Sequence, residues 1–154
     1  IVYSQKVLRT LLESDADIAI TIDKNWEEYW RARNEDPLSD AETLKIREDG
    51  SISDIGQKPK SINEIEGQYM GLMKFSATGI RQIKKIFFDS KKDQGILGRS
   101  AESAYMTDIL QAAIKQGKKV TGIPVYGGWV EVDTVGDLHS LALQERIDKL
   151  SKST

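Results

Sequence analysis

Near the end of the chain, Gly127-Gly128-Trp129-Val130-Glu131-Val132-Asp133-Thr134-Val135-Gly136-Asp137-Leu138 admits few foldings, and it reads as a strand running straight into a helix. Strand side chains alternate between faces, so Trp129, Glu131 and Asp133 are expected on one side and Val130 and Val132 on the core side. Two carboxylates spaced i, i+2 and delivered to the carboxyl end of a strand suit a hard cation. Magnesium takes oxygen ligands from one or two carboxylates plus substrate phosphates. Glu131 and Asp133 are therefore candidate catalytic and metal-binding residues, and phosphoryl chemistry is the leading idea. The plainer alternative is a pair of solvated surface carboxylates. Thr134 followed three positions later by Asp137 also fits an N-terminal capping pattern, which assigns Asp137 to the backbone donors of the last helix.

The 154 residues, 39% hydrophobic and 30% charged, suit one globular domain with a sizeable core. With 22 basic against 24 acidic residues, nothing predicts a nucleic-acid surface or a membrane anchor. The absence of Cys excludes disulfides, thiolate nucleophiles and cysteine zinc sites, and makes a reducing cytoplasm the expected setting. His139 cannot build a multi-histidine metal site, and no chemistry is assigned to it. The start Ile1-Val2-Tyr3 reads as though entered in mid-strand, so a fragment of a longer protein is expected.

Along the chain, Val7, Leu8, Leu11 and Leu12 recur at helical spacing, and residues 16–22 form an apolar run suited to a buried strand. Trp26, Tyr29 and Trp30 fall on one helical face. They either pin a polar insertion to the domain or form a lid or pocket wall, where aromatic faces attract ammonium groups and Arg31 and Arg33 reach phosphate. Residues 42–55 read as a hairpin turning at Asp49-Gly50, followed by a loop carrying Lys58 and Lys60. Residues 66–75 return as a strand whose Gly67 and Gly71 mark bulges or a close approach of ligand or backbone. Two helices follow, one with Ile80, Ile83 and Phe87 on its face, the other with Met106, Ile109, Leu110, Ala113 and Ile114. A strand over 119–125 and an amphipathic helix over 134–150, carrying Leu138, Leu141 and Ile147, complete the pattern, with Ser151 to Thr154 fraying.

Taken in order, Asp23-x-x-Trp26-x-x-x-Trp30-x-x-Arg33, Ile55-Gly56-x-Lys58, Glu66-Gly67-Gln68-Tyr69-x-Gly71, Thr107-Asp108 and Gly128-Trp129-x-Glu131-x-Asp133-Thr134 with Asp137-Leu138 resemble nucleotidyltransferases that activate phosphocholine, phosphonates or sugar phosphates. The nearest resemblance is to cytidylyltransferases. It implies a three-layer α/β/α Rossmann-like fold with a mixed sheet, and nucleotidyl transfer from a nucleoside triphosphate, CTP favoured, to a small phosphorylated or phosphonylated amine. Asp133 would bind magnesium with Glu131 assisting. Trp129, Glu66 and Gly67 would border the acceptor, with Lys58 beside them and Trp26 and Trp30 offering aromatic faces to a cationic head group. The glycine-rich nucleotide loop of that family is absent from residues 1–154, so the chain is expected to be a C-terminal, acceptor-binding portion that is inactive alone. A sugar-1-phosphate nucleotidyltransferase is the alternative within the class. A non-catalytic binding or assembly module, prone to form a homo-oligomer through an open sheet edge, is the alternative outside it.

Overall fold

A computed structural model describes residues 1–92 and 95–151. Strand β1 (Val2–Tyr3) leads at once into helix α1 (Gln5–Leu12). Ser4 caps α1 by accepting from the Val7 N–H, and Val7 and Leu11, four apart, form its buried face. Every residue of β2 (Ile18–Asp23) is buried. A strand covered on both faces shows an apolar run rather than an alternation, which is why this one stood out in the sequence. The order then runs α2 (Trp26–Arg33), β3 (Leu44–Ile46), β4 (Ile52–Ile55), β5 (Gln68–Phe75), α3 (Ala77–Lys92), α4 (Met106–Lys115), β6 (Thr121–Val125), β7 (Trp129–Val130), α5 (Val135–Leu138) and α6 (Leu141–Ser151).

The main sheet is mixed, with β2 between antiparallel β5 and parallel β6. Because β2 and β6 run the same way, Asp23 and Val125 lie side by side at their carboxyl ends. The β3–β4 hairpin forms across the expected turn. Gly71, at φ +82°, sits where the β2–β5 register shifts between Ile20 and Ile22, and so is a bulge. One apolar cluster gathers Ile18, Ile20 and Ile22 with the hairpin, α3 and α4. A second gathers Val7, Met70 and Val125 with the rings of Trp26, Tyr29, Trp30 and Trp129.

Several expectations are corrected. β7 pairs with β1 at Trp129 and Val130, and Val132, expected on the core side, is 41% exposed. Trp129, expected opposite the core face, is fully buried. In α3 the inward face is Ile83 and Ile86, while Ile80 is exposed. The single terminal helix is two helices: α5 closes on tight bonds from His139 N–H to Gly136 O and from Ser140 N–H to Asp137 O, and α6 starts anew. Leu143 is buried in α6, whereas Leu138 and Ile147 are exposed. The Leu141 side chain, and the expected fraying beyond Ser151, lie outside the described residues.

Candidate functional site

The site is built on α2. Its face of Trp26, Tyr29 and Trp30 is buried, with edge-on ring contacts from Tyr29 to both Trp30 and Trp129 at 5.7 and 5.6 Å. The rings therefore anchor the helix to the body of the protein. Arg33 lies four residues after Tyr29, and this spacing carries its stem inward along the same face. Its guanidinium lies 5.3 Å from the Tyr29 ring centre and its side chain is 6% exposed. A cation taken out of water needs partners, and Arg33 has three. It donates to Glu131, to Asp133 at 2.8 Å and through Nε to Asp137 at 3.2 Å.

These carboxylates arrive by different routes. Tyr29 fixes Glu131 by donating to its carbonyl at 3.3 Å and accepting from its N–H at 3.1 Å. Asp137 is set by the capping box, in which it accepts from the N–H groups of Asp133 and Thr134 while Thr134 accepts from its own N–H. Burial works to raise the Asp137 carboxyl, but Arg33 and those backbone donors outweigh it and hold the pKa at about 2. For Glu131 the balance is reversed: burial pushes its pKa up against the pull of Arg33, and neighbouring Asp133 and Asp40 push the same way. Burial also opposes the charge on Arg33, and the Asp137 and Asp133 carboxylates overcome it and raise its pKa.

Among the described residues, no group of three or more His, Asp or Glu side chains is arranged to hold a metal ion. Asp133, its side chain 60% exposed, gives one oxygen to Arg33 and has its other available toward solvent. Glu131 is 18% exposed and engaged by the arginine. A magnesium ion would therefore find one direct carboxylate ligand here, from Asp133, and would need substrate phosphates and water for the rest, since no closed protein cage is formed among the described residues.

The other candidate residues divide. Trp129 donates its indole N–H to the fully buried Asp23 at 2.8 Å. Trp30 is also buried, and its Nε1 has no acceptor among the described residues. A Cβ at Gly67 would come 3.3 Å from the Asp23 carbonyl oxygen, so Gly67 marks a close approach of backbone. Glu66 accepts from the Ile46 N–H at 2.8 Å and from Lys45 at 3.2 Å, finishing the exposed edge of the hairpin. Lys58 donates to the carbonyl oxygens of Leu38 and, at 2.6 Å, Ser39, clasping the turn that precedes Asp40. Glu131, Asp133 and the aromatic cluster are thus joined through Tyr29 and Arg33, whereas Lys58 and Glu66 bind backbone on the hairpin side.

Beyond Asp23 a cleft of about 370 Å³ opens at the carboxyl ends of β2 and β6, lined by Lys6, Glu28, Tyr126, Gly128 and Arg146 among others. Open α/β sheets bind ligands at this end of their strands. Asp23 braces the wall by accepting from the N–H groups of Asn25 and Gly127, both at 2.9 Å. Sequence reasoning missed this cleft. The Asp23 motif pointed to the bracing residue, but no local signal marks Arg146 or Lys6.

No family model matches the chain. A comparison with curated proteins matches CTP:phosphoglutamine cytidylyltransferase of Campylobacter jejuni, 38% identical over 140 residues. The chain matches part of a cytidylyltransferase-like nucleotidyltransferase. The match covers 90% of this chain and 54% of the relative, so the chain spans about half the length of that protein. The resemblance read from the motifs is borne out on that footing, and the mixed α/β architecture agrees with it. No helix among the described residues is long and apolar enough to cross a membrane.

Proposed function

We propose that this chain is the acceptor-binding part of a magnesium-dependent cytidylyltransferase, in which a small phosphorylated or phosphonylated amine attacks CTP and pyrophosphate leaves. What carries the reading is the 38% identity over 140 residues to a protein named for CTP and phosphoglutamine, which adds phosphorylated amino-acid derivatives to the acceptors worth testing. The parent fold is a three-layer α/β/α domain, and turnover belongs to the longer protein.

Asp133 would hold magnesium and Glu131 would order its surroundings from behind. Magnesium, when bound, supplies charge neutralisation as an acceptor oxygen meets the α-phosphorus in line. Arg33 aims both carboxylates by donating to each, so the site is preorganised before substrate arrives. Trp26, Trp30 and Trp129 shape the acceptor wall from behind, their rings being buried. Lys58, through the turn it clasps, and Glu66 with Gly67 border the acceptor side.

The test is pyrophosphate release from CTP by the longer protein containing this chain, offered phosphocholine, 2-aminoethylphosphonate, phosphoglutamine and hexose 1-phosphates. Release with the amine-bearing acceptors, lost in Asp133→Ala, is expected, with none from the 154-residue chain alone. Release with hexose 1-phosphates only would move the assignment to sugar activation. Silence with every acceptor, together with concentration-dependent self-association, would favour an assembly module.

A further inference from the structure

We infer that the cleft between α1, the β6–β7 turn and α6 is a phosphate-binding site separate from the Arg33 carboxylate cluster. The phosphate site stands on its own geometry, which inorganic phosphate tests separately, while the two ligand sources weighed for it rest on the proposed function. Arg146 is its centre: the guanidinium lies 3.9 Å from the Tyr29 ring centre, and its side chain is 20% exposed. Its carboxylate neighbour, Asp23, is 3.8 Å away, beyond hydrogen-bonding reach, and already accepts from two backbone N–H groups and the Trp129 indole. The guanidinium is thus held in place by an aromatic face and by charge, without a hydrogen bond to that carboxylate. Such a fork matches the geometry of a phosphate.

The glycine turn and Lys6 fit the same ligand, set against the Glu28 carboxylate that also lines the cleft. Gly127 and Gly128 have φ of +74° and +79°, a backbone shape that side chains disfavour. A Cβ on Gly127 would stand 3.6 Å from Arg146 Nη2, in the space beside the guanidinium. A Cβ on Gly128 would stand 3.2 Å from Ser4 Oγ, so the bare glycine lets the first turn of α1 close on the cleft. That turn carries Lys6 to the wall of the cleft and of an adjoining recess of about 150 Å³. Tyr126, 70% exposed, stands at the rim as a face for the organic part of the ligand.

Phosphate here has two natural sources, the polyphosphate of a nucleotide and the single phosphoryl or phosphonyl group of a small acceptor. The experiment is calorimetric titration of the protein at low salt with inorganic phosphate, pyrophosphate, CTP and phosphocholine, with sodium chloride as the ionic-strength control. Saturable phosphate binding with Kd of order 1 mM is expected. It should weaken about tenfold in Lys6→Glu and in Arg146→Gln and stay unchanged in Lys118→Glu, which alters a basic cavity lined by Ala16, Asp17 and Lys119 at the other end of β2. Lys6 is exposed, so its variant keeps the test valid if loss of Arg146 unsettles the fold. Tighter binding of pyrophosphate and CTP assigns the cleft to the nucleotide, and tighter binding of phosphocholine to the acceptor. Absence of saturable binding, or binding indifferent to both Lys6→Glu and Arg146→Gln in folded protein, overturns the inference.

Discussion

Replacing Arg33 by Met tests the electrostatic account of the site. The substitution keeps the apolar stem against Tyr29 and Trp30 but deletes a guanidinium shared by Glu131, Asp133 and Asp137. Breaking a buried ion pair from one side costs about 3–5 kcal/mol, because the partner charge is left unpaired. Asp133 is mostly in water and contributes little. Asp137 keeps its backbone donors, so the loss falls chiefly on Glu131 and the total sits at the low end, about 3 kcal/mol. At this chain length that corresponds to a fall in Tm of about 6–12 °C. The sign with pH is also fixed. In the wild type, Asp137 is depressed from 3.8 to about 2, so its contribution is present above the ordinary carboxylate range and lost as pH falls through about 2. That contribution is at most about 2.5 kcal/mol. Glu131, already raised by burial, protonates more readily still once Arg33 is gone, which relieves the variant as pH falls from 7 to 4. Urea denaturation at several pH values should therefore show a gap between the proteins that is widest near neutrality. A loss under about 1 kcal/mol, or a gap unchanged between pH 7 and 4, would refute the reasoning.

Asp23→Asn should cost about 2–3 kcal/mol in the same measurement, because an amide nitrogen would face the N–H of Trp129 or those of Asn25 and Gly127. Altered tryptophan fluorescence should accompany it. Gly79→Ala should lower Tm by several degrees, since a Cβ there would lie 1.8 Å from the Asp17 carbonyl oxygen and force α3 off β2. Asp133→Ala should leave stability within about 1 kcal/mol of wild type while abolishing any magnesium-dependent change in ligand affinity. Lys58→Met should speed proteolysis near the turn at Pro37–Ser39, with a stability loss of about 1 kcal/mol, because two carbonyl oxygens lose their donor.

Local rules were enough for much of the chain. Val7 and Leu11 in α1, the buried run of β2, the Asp49-Gly50 turn and the Thr134–Asp137 capping box all depend on neighbours a few residues apart, and all were legible in the sequence. The burial of Trp129 and the exposure of Val132 were not, because both depend on what packs against the segment and not on its alternation. Nor was the break in the last helix after α5, which tight bonds close at His139 and Ser140.

The sequence by itself supplied the charges of the candidate site: Glu131 and Asp133 on one segment, and Arg33 behind an aromatic face. Only the tertiary structure decided that these charges meet. Arg33 and Glu131 are 98 residues apart, and they are joined because burying Tyr29 against Trp129 docks α2 beside the end of β7. Likewise, Asp23 and Trp129, 106 residues apart, are joined by a hydrogen bond that no pattern of spacing announces. Periodicity encodes which face of an element is apolar; which faces then come together depends on how the whole chain buries its surface at once, and the cleft beside Arg146 exists only as a result.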